Sequence, residues 1–132
     1  MDQPKKKILI VEDEIFISDL YLKAFTESGY EVQVAADGQA GLEMAQNSLP
    51  DLVLLDIMLP KMGGITVLAK MKEDNNPAKN IPVYLLTNLG QESIIKEAFK
   101  LGAAGYLLKS KYLPNQIVEE VNKFLSRREK LT

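Results

Sequence analysis

Four polar stretches come directly after aliphatic runs in this sequence, and their side chains have the chemistry to handle a phosphoryl group. The acidic triplet Glu12-Asp13-Glu14 follows one run, and Asp56, Thr87 and Lys109 follow three others. A carboxylate can attack phosphorus to give an acyl phosphate. A hydroxyl can donate a hydrogen bond to phosphate, and an ammonium is a point-charge partner for phosphate oxygens. Asp56 is the natural nucleophile because it stands alone.

The carboxylates also suit a hard metal ion. Glu12, Asp13 and Asp56 would repel one another at a shared sheet edge, and a divalent cation relieves that repulsion. With Lys109 the four side chains sum to −2, which one Mg²⁺ would neutralise. Mg²⁺ prefers about six oxygen ligands and often takes one or two carboxylates together with a phosphate. The sequence therefore predicts Glu12 and Asp13 as Mg²⁺ ligands.

Each of these residues also has a structural explanation. The acidic triplet could simply favour the positive end of a following helix. Asp56 could cap a loop, Thr87 has a β-branched shape that suits a strand, and Lys109 could be a solvated surface lysine. The shared location of all four at strand ends is what favours a common site.

Composition excludes several other function classes. The 132 residues contain no cysteine and no histidine, which excludes disulfides, thiolate metal sites, imidazole ligands and histidine-dependent triads. Sixteen basic residues against eighteen acidic ones argue against a nucleic-acid or membrane surface. No apolar run reaches the length of a membrane span, and no signal-peptide pattern opens the chain. We therefore expect a single cytoplasmic domain over residues 1–132.

Hydrophobic periodicity predicts five strands that alternate with five helices. The strands are predicted at residues 8–11, 32–34, 52–55, 83–86 and 104–108. The helices are predicted at residues 15–28, from a cap at Asp37 to about 47, at 65–73, around 95–99, and from Pro114 onward. The buried stripe of the first helix is predicted to include Leu20. This α/β alternation predicts a parallel sheet with helices on both faces, and its strand carboxyl ends share one edge.

The sequence resembles a response-regulator receiver domain of two-component signalling. The resemblance covers about residues 6–126 and is carried by Thr87 and by three stretches: ILIVEDE at 8–14, DLVLLDIMLPKMGG at 51–64 and GAAGYLLK at 102–109. It implies a doubly wound, flavodoxin-like, five-stranded parallel sheet with the strand order 2-1-3-4-5 and helices on both faces.

The resemblance also implies roles for the polar residues. Asp56 would accept phosphate from a histidine kinase or a histidine phosphotransfer protein, which must be another polypeptide because this chain has no histidine. Glu12, Asp13, Asp56 and the main-chain carbonyl of Met58 would bind Mg²⁺. Lys109 would pair with the phosphoryl oxygens. The protein would catalyse only its own phosphorylation and dephosphorylation, so it would not be an enzyme in the usual sense.

Signal output follows from the same resemblance. Thr87 would move to hydrogen-bond the phosphoryl group, and Tyr106 would turn inward behind it. This would couple the site to the face formed by the fourth helix, fifth strand and fifth helix, where a protein effector would bind. Homodimers can form through the same face. Neither nucleic acid nor membrane is an expected direct partner.

Four positions depart from the family pattern. Ser110 stands where proline in a cis peptide is common, so we expect either a trans bond with a shifted loop or a strained cis bond. Asn88 stands where a small residue is usual and would narrow access to Asp56. Met58 and Leu89 occupy positions that influence phosphate lifetime. Their apolar side chains cannot orient an attacking water, which predicts slow self-dephosphorylation.

Two other functions compete with this prediction. A phosphorylation-independent interaction module with the same fold would bind its partner regardless of phosphodonor. An aspartate-nucleophile hydrolase would need a second aspartate two residues beyond Asp56 to act as acid and base. Met58 occupies that position, which argues against the hydrolase.

Overall fold

Strands and helices alternate along the whole chain. The structure, a computed structural model, describes residues 4–88 and 91–131. The strands are β1 (Lys7–Val11), β2 (Glu31–Ala35), β3 (Leu52–Leu55), β4 (Val83–Thr87) and β5 (Gly105–Leu108). The helices are α1 (Ile15–Glu27), α2 (Gly38–Ser48), α3 (Gly64–Met71), α4 (Glu92–Lys100) and α5 (Pro114–Leu131), and a 3₁₀ turn spans Lys109–Lys111.

The five strands form one parallel sheet in the order β2-β1-β3-β4-β5. This confirms the predicted doubly wound sheet and its strand order. Strand β2 lies at one edge, as its alternation of apolar and polar residues predicts. The order reverses between β1 and β3, and ligands of such sheets bind at the carboxyl ends of the strands near that point.

Both faces of the sheet are covered by helices. Leu9 and Val11 of β1 belong to an apolar cluster with residues of α2, α3 and α4. Ile8 and Ile10 belong to a second cluster with residues of α1 and α5. All four side chains are at most 1% exposed, which explains why central strands read as continuous aliphatic runs. Burial on both faces holds the central strands in place, and with them the polar residues that follow their ends.

Local signals set the helix ends as the sequence predicts. Asp37 caps α2, and its carboxylate accepts a hydrogen bond of 2.8 Å from the main-chain N–H of Ala40. Gly29 follows α1 with a φ of 96°, a conformation that costs glycine little. The prediction that Leu20 lies on the buried stripe of α1 is wrong, because this side chain is 56% exposed. Within the described residues, no helix has the length and apolar character needed to span a membrane.

Candidate functional site

Strand register brings the polar residues to one edge of the sheet. Val11 of β1 pairs with Leu55 of β3, and the N–H of Asp56 donates a hydrogen bond of 3.1 Å to the carbonyl of Val11. Asp56 therefore lies beside the acidic residues that follow β1. Thr87 closes β4 and pairs with Leu108 of β5, the residue directly before Lys109. The chain thus places all four predicted stretches at the same carboxyl edge.

Three carboxylates meet at this edge. One oxygen from each of Glu12, Asp13 and Asp56 lies within 4.8 Å of the other two. Glu12 and Asp56 are only 3% and 7% exposed, whereas Asp13 is exposed to solvent. Two of the three negative charges are therefore held away from water, and their repulsion is poorly screened.

Lys109 is the cation that faces this group. Its Nζ donates to Oε1 of Glu12 and, at 2.9 Å, to Oδ2 of Asp56. The Lys109 side chain is 8% exposed, so all three partners of this bridge are buried. One ammonium cannot neutralise three carboxylates, so the site keeps a net negative charge that favours a divalent cation.

Burial and pairing shift the pKa values of Lys109 and Glu12. Burial by itself lowers the pKa of Lys109, but its hydrogen bonds to Glu12 and Asp56 outweigh this and raise the pKa above its usual value. Lys109 therefore stays charged. Burial raises the pKa of Glu12, and the hydrogen bonds from Lys109 and from the N–H of Glu14 only partly oppose that rise. Its environment therefore disfavours the ionised form of Glu12.

The Asp56 carboxylate is held at both oxygens and faces an open pocket. Oδ2 accepts from Lys109, and Oδ1 accepts a hydrogen bond of 3.3 Å from the main-chain N–H of Met58. The pocket encloses about 290 Å³. Its lining comprises Asp13, Glu14, Asp56, Met58, Thr87, Asn88 and Lys109. This volume is large enough for a group the size of phosphate, and Asp56 forms part of the pocket wall.

Thr87 and Tyr106 lie on neighbouring strands but in different surroundings. Thr87 is 1% exposed and lines the pocket. Tyr106 is 38% exposed, and its ring packs edge-on against Phe99 of α4 with the ring centroids 6.3 Å apart. The tyrosine therefore lies on the outer surface formed by α4 and β5.

The positions that depart from the family pattern are placed as follows. The structure contains no cis peptide among its described residues, so the Lys109–Ser110 bond is trans. It lies within the 3₁₀ turn. Asn88 is exposed at the mouth of the pocket. Met58 is 66% exposed. Leu89 lies outside the described residues.

Sequence reasoning missed one residue that shapes this site. Gly64, the first residue of α3, packs so closely under Asp56 that a Cβ there would lie 2.1 Å from the Asp56 carbonyl oxygen. Its N–H donates a hydrogen bond of 2.8 Å to the carbonyl of Ile57. In the sequence, the Gly63-Gly64 pair predicts only an interruption between a strand and a helix. A single sequence does not reveal which glycine lies against another stretch of main chain.

Residues 8–122 match the family model of the response regulator receiver domain. The protein belongs to the response regulator receiver domain family. Receiver domains are the phosphoacceptor domains of two-component signalling proteins, and they bind Mg²⁺ at an acidic pocket. The resemblance to a response-regulator receiver domain, inferred from the sequence, is therefore confirmed.

Curated relatives of this receiver domain differ in length. It is 44% identical over 103 residues to the DNA-binding dual master transcriptional regulator RpaA of Synechocystis, which covers 78% of this chain and 42% of RpaA. It is 36% identical over 132 residues to the probable transcriptional regulator ycf27 of Cyanophora paradoxa, and spans 53% of that protein. It is 37% identical over 120 residues to sporulation initiation phosphotransferase F of Bacillus subtilis, which covers 91% of this chain and 94% of that protein. The chain therefore spans about half or less of the two transcriptional regulators.

Solved structures share the receiver fold. A CheY-like receiver domain protein from Methanospirillum hungatei has a TM-score of 0.88 and 29% identity, covering 98% of this chain and all of that one. A chain in the crystal structure of the CheX-CheY-BeF3-Mg+2 complex from Borrelia burgdorferi has a TM-score of 0.81 and 30% identity, covering 91% of this chain and 89% of that one.

The donor set of this receiver domain fits Mg²⁺. Every ligand atom that Glu12, Asp13 and Asp56 offer is a carboxylate oxygen, and the group contains no nitrogen or sulfur ligand that would favour a softer metal. The open pocket leaves room for the waters that Mg²⁺ usually retains.

Proposed function

We propose that this receiver domain accepts a phosphoryl group on Asp56 in a reaction that requires Mg²⁺, and that the modification switches a partner-binding face. The observation that carries the proposal is the setting of the Asp56 carboxylate. It is buried, paired with Lys109, grouped with two further carboxylates, and open to a pocket on one side.

The proposed chemistry transfers phosphorus from nitrogen to oxygen. A carboxylate oxygen of Asp56 attacks the phosphorus of a phosphohistidine, so that an O–P bond forms and the N–P bond breaks. The imidazole leaves with the bonding electron pair and takes a proton from water. Lys109 already lies 2.9 Å from Oδ2 of Asp56, and its charge favours the oxygens that become negative as the transfer proceeds.

The proposed metal ligands are Glu12, Asp13, Asp56 and the main-chain carbonyl of Met58. When bound, Mg²⁺ would neutralise charge on the attacking carboxylate and on the phosphoryl oxygens. The protein's own part is to hold the carboxylates together before the ion arrives. Glu12 and Asp56 directly follow β1 and β3, and the pairing of Val11 with Leu55 holds the two strand ends side by side.

The proposed partners are a histidine kinase or histidine phosphotransfer protein as donor and a protein effector as target. Phosphorylation adds negative charge and strong acceptor oxygens beside Thr87. Reorientation of Thr87 would let Tyr106 turn inward and leave Phe99, its present contact. The effector would read this change on the surface formed by α4, β5 and α5. A ligand can switch the domain only to the extent that it contacts the two states differently.

The first prediction tests the phosphoacceptor. The protein is incubated with Mg²⁺ and acetyl phosphate, and separately with a phosphorylated histidine phosphotransfer protein, and its intact mass is measured. Wild type is expected to gain one phosphoryl group, and Asp56→Asn to gain none, because an amide oxygen is a poor nucleophile. Asp51→Asn is the matched control, since Asp51 lies at the opposite end of β3.

Two outcomes of that experiment would contradict the proposal. Absence of labelling of the wild type by every donor would exclude a phosphoacceptor. A phosphorylation-independent interaction module would give this result, with partner binding unchanged by phosphodonor. Equal labelling of wild type and Asp56→Asn would show that another residue accepts the phosphate.

The second prediction concerns the lifetime of the phosphate. The Met58 side chain is exposed beside the pocket and has no group that can orient a water molecule toward phosphorus. Wild type is therefore expected to lose its phosphate slowly. Met58→Asn supplies a polar group and is expected to shorten the lifetime by about tenfold. The measurement is the decay of phosphorylated mass after removal of the donor. Met58→Leu is the control, and rapid decay of wild type or Met58→Leu would contradict the prediction.

A further inference from the structure

The loop that connects Asp56 to α3, residues 57–63, rests on the amino terminus of α2. The N–H of Gly38, the first residue of α2, donates a hydrogen bond of 3.2 Å to the carbonyl of Pro60. A Cβ on Gly38 would lie 1.8 Å from the carbonyl oxygen of Met62 and 2.7 Å from its carbon. Both atoms belong to the main chain, so no rotation of a side chain could relieve the overlap. Only glycine permits this approach.

The opposite side of the same loop touches the phosphoacceptor. The N–H of Met58 donates to Oδ1 of Asp56 at 3.3 Å. Between these two contacts the loop is tightly folded, because the N–H of Met62 donates to the carbonyl of Pro60 at 2.7 Å and that of Gly64 donates to Ile57 at 2.8 Å. These hydrogen bonds connect the part of the loop that contacts α2 to the part that contacts Asp56.

The loop also contacts the capping residue of α2 through an exposed ion pair. Nζ of Lys61 lies 3.7 Å from Oδ2 of Asp37, but the Lys61 side chain is 71% exposed. Exposed ion pairs of this kind contribute little to stability. The close approach at Gly38, by contrast, is a contact with the main chain that leaves no room for a Cβ.

We infer that Gly38 is a positioning residue for phosphoryl transfer: by letting the loop sit directly on α2, it sets the distance between the Met58 main chain and Asp56. This inference rests on the proposed function. It concerns a residue on a different helix that contacts neither the pocket nor any proposed metal ligand.

The test is the maximal labelling rate of Gly38→Ala. The added Cβ must move more than 1 Å from the Met62 oxygen before the contact becomes tolerable. Displacements of about 1 Å at a reacting group can slow a reaction by about a hundredfold. We expect the rate at saturating Mg²⁺ and saturating acetyl phosphate to fall by at least about tenfold. The half-saturating acetyl phosphate concentration should change much less, because none of the side chains that line the pocket is replaced.

The control separates positioning from stability. Gly29→Ala is the same substitution at an exposed turn between α1 and β2, where the φ of 96° disfavours alanine but no atom lies within 4 Å of the new Cβ. It should lower stability and leave the labelling rate unchanged. Both variants are assayed at a temperature at which circular dichroism shows them fully folded.

Each outcome decides the inference. A folded Gly38→Ala that is labelled as fast as Gly29→Ala would overturn it. If Gly38→Ala does not fold, Asp37→Ala replaces it, since loss of the α2 cap loosens the same contact without steric overlap; an unchanged labelling rate in Asp37→Ala would then overturn the inference. Failure of the wild type to be labelled at all would instead count against the proposed function.

Discussion

Replacing Lys109 with methionine is expected to slow phosphorylation of Asp56 by at least about a hundredfold and to destabilise the protein in the absence of Mg²⁺. Methionine has a similar length but no charge and no donor. The variant therefore removes the ammonium from Glu12 and Asp56 while filling much of the same space. Loss of one preorganised donor at a site where charge develops typically costs a factor of about 10² to 10³ in rate.

The loss of stability has a separate cause. In Lys109→Met the buried carboxylates of Glu12 and Asp56 lose their only cationic partner among the described residues. Removing one partner from a buried ion pair typically costs about 3–5 kcal/mol, and protonation of Glu12 would recover part of this cost. Urea unfolding in EDTA should show the full loss at neutral pH. Mg²⁺ should restore part of it, because the ion supplies the missing positive charge.

The measurements for Lys109→Met are intact-mass labelling at saturating Mg²⁺ and urea unfolding with and without the ion. Lys111→Met is the matched control, since Lys111 lies in the same 3₁₀ turn but is exposed. It should leave both quantities unchanged. Labelling of Lys109→Met at the wild-type rate would show that the ammonium plays no part in the transfer.

Much of the site could be predicted because a parallel sheet leaves few alternatives. A short aliphatic run between helical stretches, such as residues 52–55, is typical of a strand buried on both faces, and parallel strands bring their carboxyl ends to one edge. A polar residue directly after each run must then lie near the others. Asp56, Thr87 and Lys109 meet for this reason, although they lie far apart in the chain.

The pairing within the site could not be predicted. The sequence predicts Glu12 as a metal ligand and Lys109 as a partner of phosphate. In the structure, Lys109 instead donates a hydrogen bond to Glu12. Lys109 begins a 3₁₀ turn directly after β5, and its peptide bond to Ser110 is trans. These are features of backbone geometry that residue types alone leave undetermined. Under the proposed function, in which Glu12 binds Mg²⁺, Lys109 would compete with the ion for this carboxylate.

The exposure of side chains on α1 is a second feature that the sequence does not predict. Helical periodicity indicates which residues share a stripe, but the neighbouring elements determine how much of the stripe is covered. In α1, Phe25 is fully buried, whereas Phe16 and Leu20 are 88% and 56% exposed. Phe16 and Leu20 lie on the side of α1 away from its buried residues Ser18, Tyr21 and Phe25. Sequence alone does not reveal which side of such a helix the sheet covers.

Asp13→Asn is expected to weaken Mg²⁺ binding without harming the fold, because Asp13 is the exposed member of the carboxylate group. Glu12 and Asp56 both bind Lys109, so their substitution changes stability and metal binding together. Asp13 avoids this coupling. Losing one charged oxygen ligand should raise the dissociation constant for Mg²⁺ by at least about tenfold.

The measurement for Asp13→Asn is thermal unfolding across a Mg²⁺ titration, with isothermal calorimetry as the direct check. In EDTA the variant should match wild type within about 0.5 kcal/mol, since it alters an exposed side chain. At a fixed saturating concentration, each tenfold loss of affinity removes about 1.4 kcal/mol of the stabilisation that Mg²⁺ provides. Asp19→Asn, on the exposed surface of α1, is the control and should bind Mg²⁺ normally. Unchanged affinity in Asp13→Asn would place the ion away from this carboxylate, and recovery of the labelling rate at high Mg²⁺ would show that Asp13 acts through the metal and not on the phosphoryl group.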